Sequence, residues 1–177
     1  MIRKNPKGDI PIIHRTSYID VDATVIGKVI IGKNVFVGPL AVIRADEPGS
    51  SIIIKDNCNV QDRVIIHTLE STTVKISEST SLAHGCIVHG PCKIGKRCFI
   101  GFGAVIFKAN LGNEVIVKHL AIVEGVRIPS KKLVPNGVVI DSRNKIKNLK
   151  NATKELEDFS QKVVKTNLDL VKGYENV

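Results

Sequence analysis

A chain of 177 residues with 26 Lys and Arg against 17 Asp and Glu, a formal net charge of +9, is long enough for one domain with a substantial core. No apolar run is long enough to span a bilayer, and the opening MIRKNPKGDIPIIH lacks the continuous apolar stretch and small-residue cleavage site of a signal peptide, so no membrane association and a cytoplasmic location are expected. The basic residues are scattered in short pairs such as Arg3-Lys4 and Lys131-Lys132, and with no tryptophan and few other aromatics to stack on bases, nucleic acid is not an expected partner.

In chain order, the first regular feature is an aliphatic residue at every sixth position: Ile19, Val25, Ile31, Val37 and Ile43. Arg44 to Ser51 (RADEPGSS) interrupts it with the Pro, Gly and Ser content of a loop. Ile54, Val60 and Ile66 resume the series, and Leu69 to Lys75 (LESTTVK) forms a second protrusion. Ile76, Leu82, Val88, Ile94, Ile100 and Ile106 follow, then Leu111, Val117 and Val123 after a five-residue step. Four places after these aliphatics stand small or β-branched residues such as Ala23, Val35, Ala41, Ala104 and Ala121. A helical period of 3.6 cannot produce this pattern. An all-β solenoid can, with three six-residue sides making a triangular coil of about eighteen residues. Pro129 and Pro135-Asn136-Gly137 are expected to end the strands, because proline withholds a ladder donor.

Cys58, Cys86, Cys92 and Cys98 all fall in the inward small-residue slot, where a free thiol acts as a compact hydrophobe; buried filler in a reducing compartment is the expectation. From about Asn151 the pattern changes, and Leu156, Phe159, Val163, Val164, Leu168, Leu170 and Val171 form one apolar side of a helix. The organisation expected is therefore one domain, with residues 1–140 as solenoid and 141–177 as a C-terminal helical segment packed on it.

The repeat also fixes where the histidines point. Ile54, Val60 and Ile66 occupy sides one, two and three of one coil, and Ile76, Leu82 and Val88 the same sides of the next. His67 follows Ile66 and His89 follows Val88, so both project outward from side three of adjacent coils, one above the other. Strands about 4.8 Å apart let two imidazoles converge to the roughly 3.3 Å between nitrogens that share a tetrahedral zinc. His84 leaves side two near a corner, where one chain does not readily bring it to the same ion. A neighbouring copy around a threefold axis does, which predicts a metal at a subunit interface with two histidines from one chain and one from the next. His14 and His119 lack this relationship and are expected to be structural.

Ile or Val followed by Gly, as in Ile31-Gly32, Val37-Gly38, Ile94-Gly95 and Ile100-Gly101, resembles the hexapeptide-repeat family. That resemblance implies a left-handed parallel β-helix. The runs IRADE (43–47), NVQDRVIIHTLE (59–70) and SLAHGCIVHGP (81–91) resemble the gamma-class carbonic anhydrases, most closely the archaeal branch, and the likeness extends to VVKTNLDLVKGY (163–174). It implies a homotrimer in which His67, His84 and His89 ligate zinc, with Fe(II) or Co(II) as alternatives, and in which carbon dioxide and bicarbonate are interconverted. By the same resemblance Gln61 orients the attacking hydroxide, and Asp62 and Asp46 belong to a polar network with Arg44 as ion-pair partner across the interface. Glu47 and Glu70 match an acidic pair that moves the proton, and Asn167 a side chain that positions carbon dioxide. Archaeal members carry a longer, acidic loop after the glutamate matching Glu70, whereas here the loop is short and rich in Ser and Thr.

Three neutral imidazoles leave a vacant coordination position, and a metal so held lowers the pKa of water to about 7. Two other readings stay open: a hexapeptide-repeat acyltransferase, which uses one catalytic histidine, and a non-catalytic metal-binding or assembly relative.

Overall fold

A computed structural model describes residues 1–174 as a triangular parallel β-solenoid of seven coils followed by helices. Two sheets have seven strands and the third has eight, and every strand pairs in parallel with its equivalent one coil away. Side one runs from Ile12–Ile13 to Arg127–Ile128, side two from Tyr18–Ile19 to Leu133–Val134, and side three from Ile2–Arg3 to Val139–Ile140. The hexad residues point inward. Ile54, Val60, Ile66, Ile76, Leu82 and Val88 are fully buried, as are the small partners Ala23, Val35, Ala41 and Ala104. β-Branched side chains dominate this core because they pack flat against their copies on the next rung.

All four cysteines are free and buried in that core. Cys58 and Cys98 each donate to a backbone carbonyl 3.1 Å away, on Ser77 and Gly112. Burial pushes both thiols up to about 12, which makes them inert.

The corners need an unusual backbone. The third residue after an inward aliphatic lies in the left-handed region, as at Asn34 (φ 53°), Leu40 (φ 59°), Asn57 (φ 59°) and Arg63 (φ 57°). That conformation costs about 1–2 kcal/mol for most residues and least for Gly and Asn. Asn34 recovers part of it by donating through Nδ2 to Asn57 Oδ1 on the next coil, at 3.1 Å. Gly after the aliphatic answers close approach of the coils: a Cβ on Gly95 would lie 2.4 Å from the carbonyl oxygen of Gly112.

The strands do not stop before the prolines. A seventh coil is built on Ile128, Val134 and Ile140, with Pro129 and Pro135 directly after two of its inward residues. In earlier coils the N–H at that place donates forward to the following coil, as Gly112 N does to Ile128 O and Lys118 N to Val134 O. The last coil has no follower, so a residue without N–H loses nothing there. The repeat also begins one hexad earlier than the sequence suggests, with Ile13 packed against the core.

A short helix α1 (Arg143–Lys147) turns the chain back, and helix α2 (Lys154–Tyr174) lies along side two. The last three residues of the expected 141–177 segment are outside the described residues. Leu156 and Val163 pack with Ala83, Phe99 and Ile116, and Tyr174 stacks on Tyr18 of the first coil at 4.2 Å between ring centroids. Twenty-one helical residues extend about 31 Å and six rung spacings about 29 Å, so one helix covers the side from end to end. Its buried positions are Ser160, Val164, Asn167 and Val171. Phe159 and Leu170, expected to face inward, are exposed; the inward stripe follows the heptad-like spacing through Ser160 and Asn167, which apolar patterning passes over.

Candidate metal centre

The outward residues of side three form one column by strand register. Arg44 pairs with His67, His67 with His89, and His89 with Phe107. His67 Nδ1 and His89 Nε2 face each other at 3.0 Å, close to the separation expected for two imidazoles sharing one ion. The outer nitrogens of the pair, His67 Nε2 and His89 Nδ1, are buried without a hydrogen-bond partner, as is Asp46 Oδ1. Such atoms carry a desolvation penalty unless something satisfies them. Burial, then the Arg44 and His89 charges, hold the His67 imidazole below its ordinary pKa and therefore neutral, the state in which it donates a lone pair. A divalent cation between the two rings fits this donor set. With Nδ1 so engaged, His67 Nε2–H would face Asp46 Oδ1 at 3.6 Å and Glu47 Oε1 at 3.5 Å, as charge neighbours rather than hydrogen-bond acceptors.

His84 is elsewhere, on the corner after side two, with its ring against Phe102 at 5.5 Å between centroids. Its Nδ1 lies 3.1 Å from Asp62 Oδ2, an ion-pair contact that does not involve Nε2. The side chain is half exposed and opens on a depression of about 450 Å³ shared with Pro39, Leu40 and Arg63. Among the described residues of one chain, no group of three His, Cys, Asp or Glu could hold a metal ion. One chain therefore presents a buried and half-buried pair of facing rings and, apart from them, a single exposed ring.

The two protrusions after side three stack on one another. Ser71 N donates to Pro48 O at 2.8 Å, and Glu70 N donates to Glu47 Oε2 at 2.6 Å. This brings the predicted acidic pair together, with Glu47 between His67 and Glu70. Arg44 Nη1 donates to Asp46 Oδ2 at 2.9 Å within the same chain. Gln61 Nε2 donates to Asn167 Oδ1 at 2.6 Å and to Asn59 Oδ1 at 3.1 Å. Helix α2 thus supplies Asn167 to Gln61, although 106 residues separate them. His14 bonds Thr16, and His119 Nδ1 accepts from Phe102 N, both local roles.

Sequence reasoning missed Phe102 and Phe107, which buttress His84 and His89. It also missed a second outward column on side three: Val42, Ile65, Ile87, Val105, Ile122 and Val139, in register and all aliphatic. Each stands immediately before an inward aliphatic, a signal available to anyone aligning the coils. Ile65 and Val139 are 41% and 40% exposed. The ladder places a partly exposed apolar strip beside the ionisable rings.

Two hexapeptide-repeat models match the chain. One, described as a bacterial transferase hexapeptide of six repeats, covers residues 73–108, and another, the hexapeptide repeat of succinyl-transferase, covers 28–62. The chain is 37% identical over 191 residues to the carbonic anhydrase of Methanosarcina thermophila, an alignment that takes in 96% of this chain and 77% of that protein. It is 35% identical to the carboxysome assembly protein CcmM of a Nostoc species over 92% of this chain, spanning only 31% of that longer protein. The carnitine operon protein CaiE of Escherichia coli is 35% identical over 72% of this chain and 65% of its own length. Among solved structures, a putative acetyltransferase from Bacillus cereus superposes with a TM-score of 0.85 at 24% identity, covering 99% of this chain and 97% of that one. At that identity the likeness shows a common fold and no common chemistry.

Proposed function

Because the chain belongs to the gamma-class carbonic anhydrase family, we propose that it is a homotrimeric metalloenzyme that interconverts carbon dioxide and bicarbonate at sites shared between subunits. The observation that carries this reading is the His67–His89 pair, with facing nitrogens 3.0 Å apart and buried orphaned nitrogens on either side. His67 and His89 of one chain, with His84 of the partner subunit, would hold the ion, and the aliphatic ladder on side three supports the subunit contact. Zinc suits three neutral imidazoles, and Fe(II) or Co(II) suits them as well. When bound, the metal supplies Lewis acidity that makes hydroxide available near neutral pH.

The residues around it divide the remaining work. Both Nε2 hydrogens of Gln61 are committed to Asn167 and Asn59, so its Oε1 is free to accept from the nucleophile's O–H and aim the lone pair at carbon. Asn167 Nδ2 is itself anchored to Val163 O at 2.9 Å, which fixes the pair and the edge of the pocket where carbon dioxide sits. Glu47, tethered by the Glu70 N–H, is placed to take the proton released on each turnover, and exposed Glu70 to pass it to buffer. Arg44 and Asp46 neutralise one another beside the rings, and Asp62 orients His84. The four buried thiols fit a reducing cytoplasm, and no helix among the described residues is long and apolar enough to cross a membrane.

Metal content and hydration rate of anaerobically purified protein test the reading together. We expect about one ion per subunit, loss of hydration on chelation, and recovery with zinc or Fe(II). Absence of stoichiometric metal would sink it, and so would acyl transfer from an acyl-CoA that survives His89→Ala.

A further inference from the structure

Two of the three sides of the prism have an evident use, since α2 covers side two and side three carries the histidine and aliphatic columns. Side one has no covering element among the described residues. Its outward residues fall in a single register-locked column: Ile12, Ile30 and Ile53, then Lys75, Lys93, Asn110 and Arg127. The column changes character halfway. At the apolar end Ile12 and Ile30 are 65% and 40% exposed and flank a depression of about 520 Å³. At the basic end a depression of about 540 Å³ is lined by Lys55, Lys75, Lys93, Lys96 and Arg127. Its one carboxylate, Glu78, lies 3.5 Å from Lys96.

Lys75 and Lys93 are direct register partners, and among the described residues neither makes an ion pair. Like charges placed opposite one another on neighbouring strands repel. An anionic surface laid along the column would relieve that repulsion and bury the isoleucines in one contact. We propose that side one docks an amphipathic helix of another protein, apolar over its first three or so turns and acidic over the rest.

A helix is favoured by spacing. One turn rises about 5.4 Å and one coil about 4.8 Å, so successive turns meet successive rungs. Side two already uses this match, with α2 running from the last coils to Tyr18 in the first. An extended strand offers same-face side chains about 6.6 Å apart and falls out of step within a few rungs. A nucleic-acid occupant would find three isoleucines across half of the column and no aromatic ring along it to stack a base. A second copy of this face would bring lysine against lysine if parallel and lysine against isoleucine if antiparallel.

The test uses the metal-loaded full chain and labelled synthetic helical peptides of about 22 residues, a length set by the seven coils. One peptide carries leucines along its first three turns and glutamates along the rest, and a control has lysines for the glutamates. Fluorescence anisotropy should show binding of the acidic peptide that weakens with salt, and no binding of the basic one. Lys75→Glu with Lys93→Glu should weaken the acidic peptide at least tenfold and admit the basic one, while Ile30→Asp alone should weaken the acidic peptide severalfold. Carbon dioxide hydration and thermal midpoint should not change in either variant, since these side chains face solvent away from the site. Equal binding of the two peptides, indifference to the charge reversal, or tighter competition by duplex DNA or phosphatidylserine vesicles would each overturn the proposal.

Discussion

His67 and His89 differ from His84 in nearly every physical respect. The first two are register partners on one sheet, buried or half-buried, facing one another, with unsatisfied nitrogens on both flanks. His84 is half exposed on a corner, with Nδ1 3.1 Å from Asp62 Oδ2. The first pair is incomplete in a way that a cation repairs, and the second ring is presented in a way that a separate surface can use. Neither half makes a site alone. Their complementarity is what points to a centre assembled from two chains.

The largest effect would come from breaking each half separately. His67→Ala and His84→Ala should each lose the metal and reduce hydration by about three orders of magnitude. If each centre draws on two chains, unfolding and refolding the two variants together in equal amounts should restore about a quarter of native activity, since one contact in four then pairs intact halves. No recovery on co-refolding would place the whole site in one chain. Next, Ile87→Asp puts a charge into the aliphatic ladder beside His89 and should split the assembly toward the 19.3 kDa chain in light scattering, with activity lost although all three rings remain. A variant that stays trimeric would assign that ladder no part in assembly. Asp62→Asn keeps the shape but removes the charge 3.1 Å from His84 Nδ1, and should cost about 10- to 100-fold in metal affinity by competition with a chelator.

The smallest effect is in the pH dependence of the metal-free protein. The His67 pKa is held down in the folded state, by burial first, so below about 6.5 the unfolded chain binds a proton that the folded chain resists. Stability should therefore fall as pH drops from about 6.5, and His67→Gln should flatten that part of the profile in urea melts. A slope that persists unchanged in His67→Gln would assign it to other groups.

Much of this was legible in the hexads. Ile54, Val60 and Ile66 against Ile76, Leu82 and Val88 give the sides, and one further step puts His67 over His89. The cysteine slots follow from the same count. What the hexads alone do not reach are features that depend on contacts between distant segments or on position in the stack; Glu47, Glu70 and Asn167 are named only through the family resemblance. Asn167 meets Gln61 only because α2 is as long as the solenoid is tall, and Glu47 meets Glu70 only because two loops stack. The side-one lysines look scattered in sequence because their neighbours in space are a whole coil apart. The prolines were read by their general effect on strands, when the direction of hydrogen bonding in the last coil makes that effect vanish.

Those same prolines set the length of the molecule. Just beyond them Lys150 stands in for a next rung, accepting from Leu133 N at 2.9 Å, and Ala152 N returns a bond to Lys131 O at 2.8 Å. A repeat that could template endless end-to-end growth is given a blunt terminus, with two donors withheld and a neighbouring position filled by its own chain. A second copy stacked on that end would find few of the donors and acceptors that join one coil to the next.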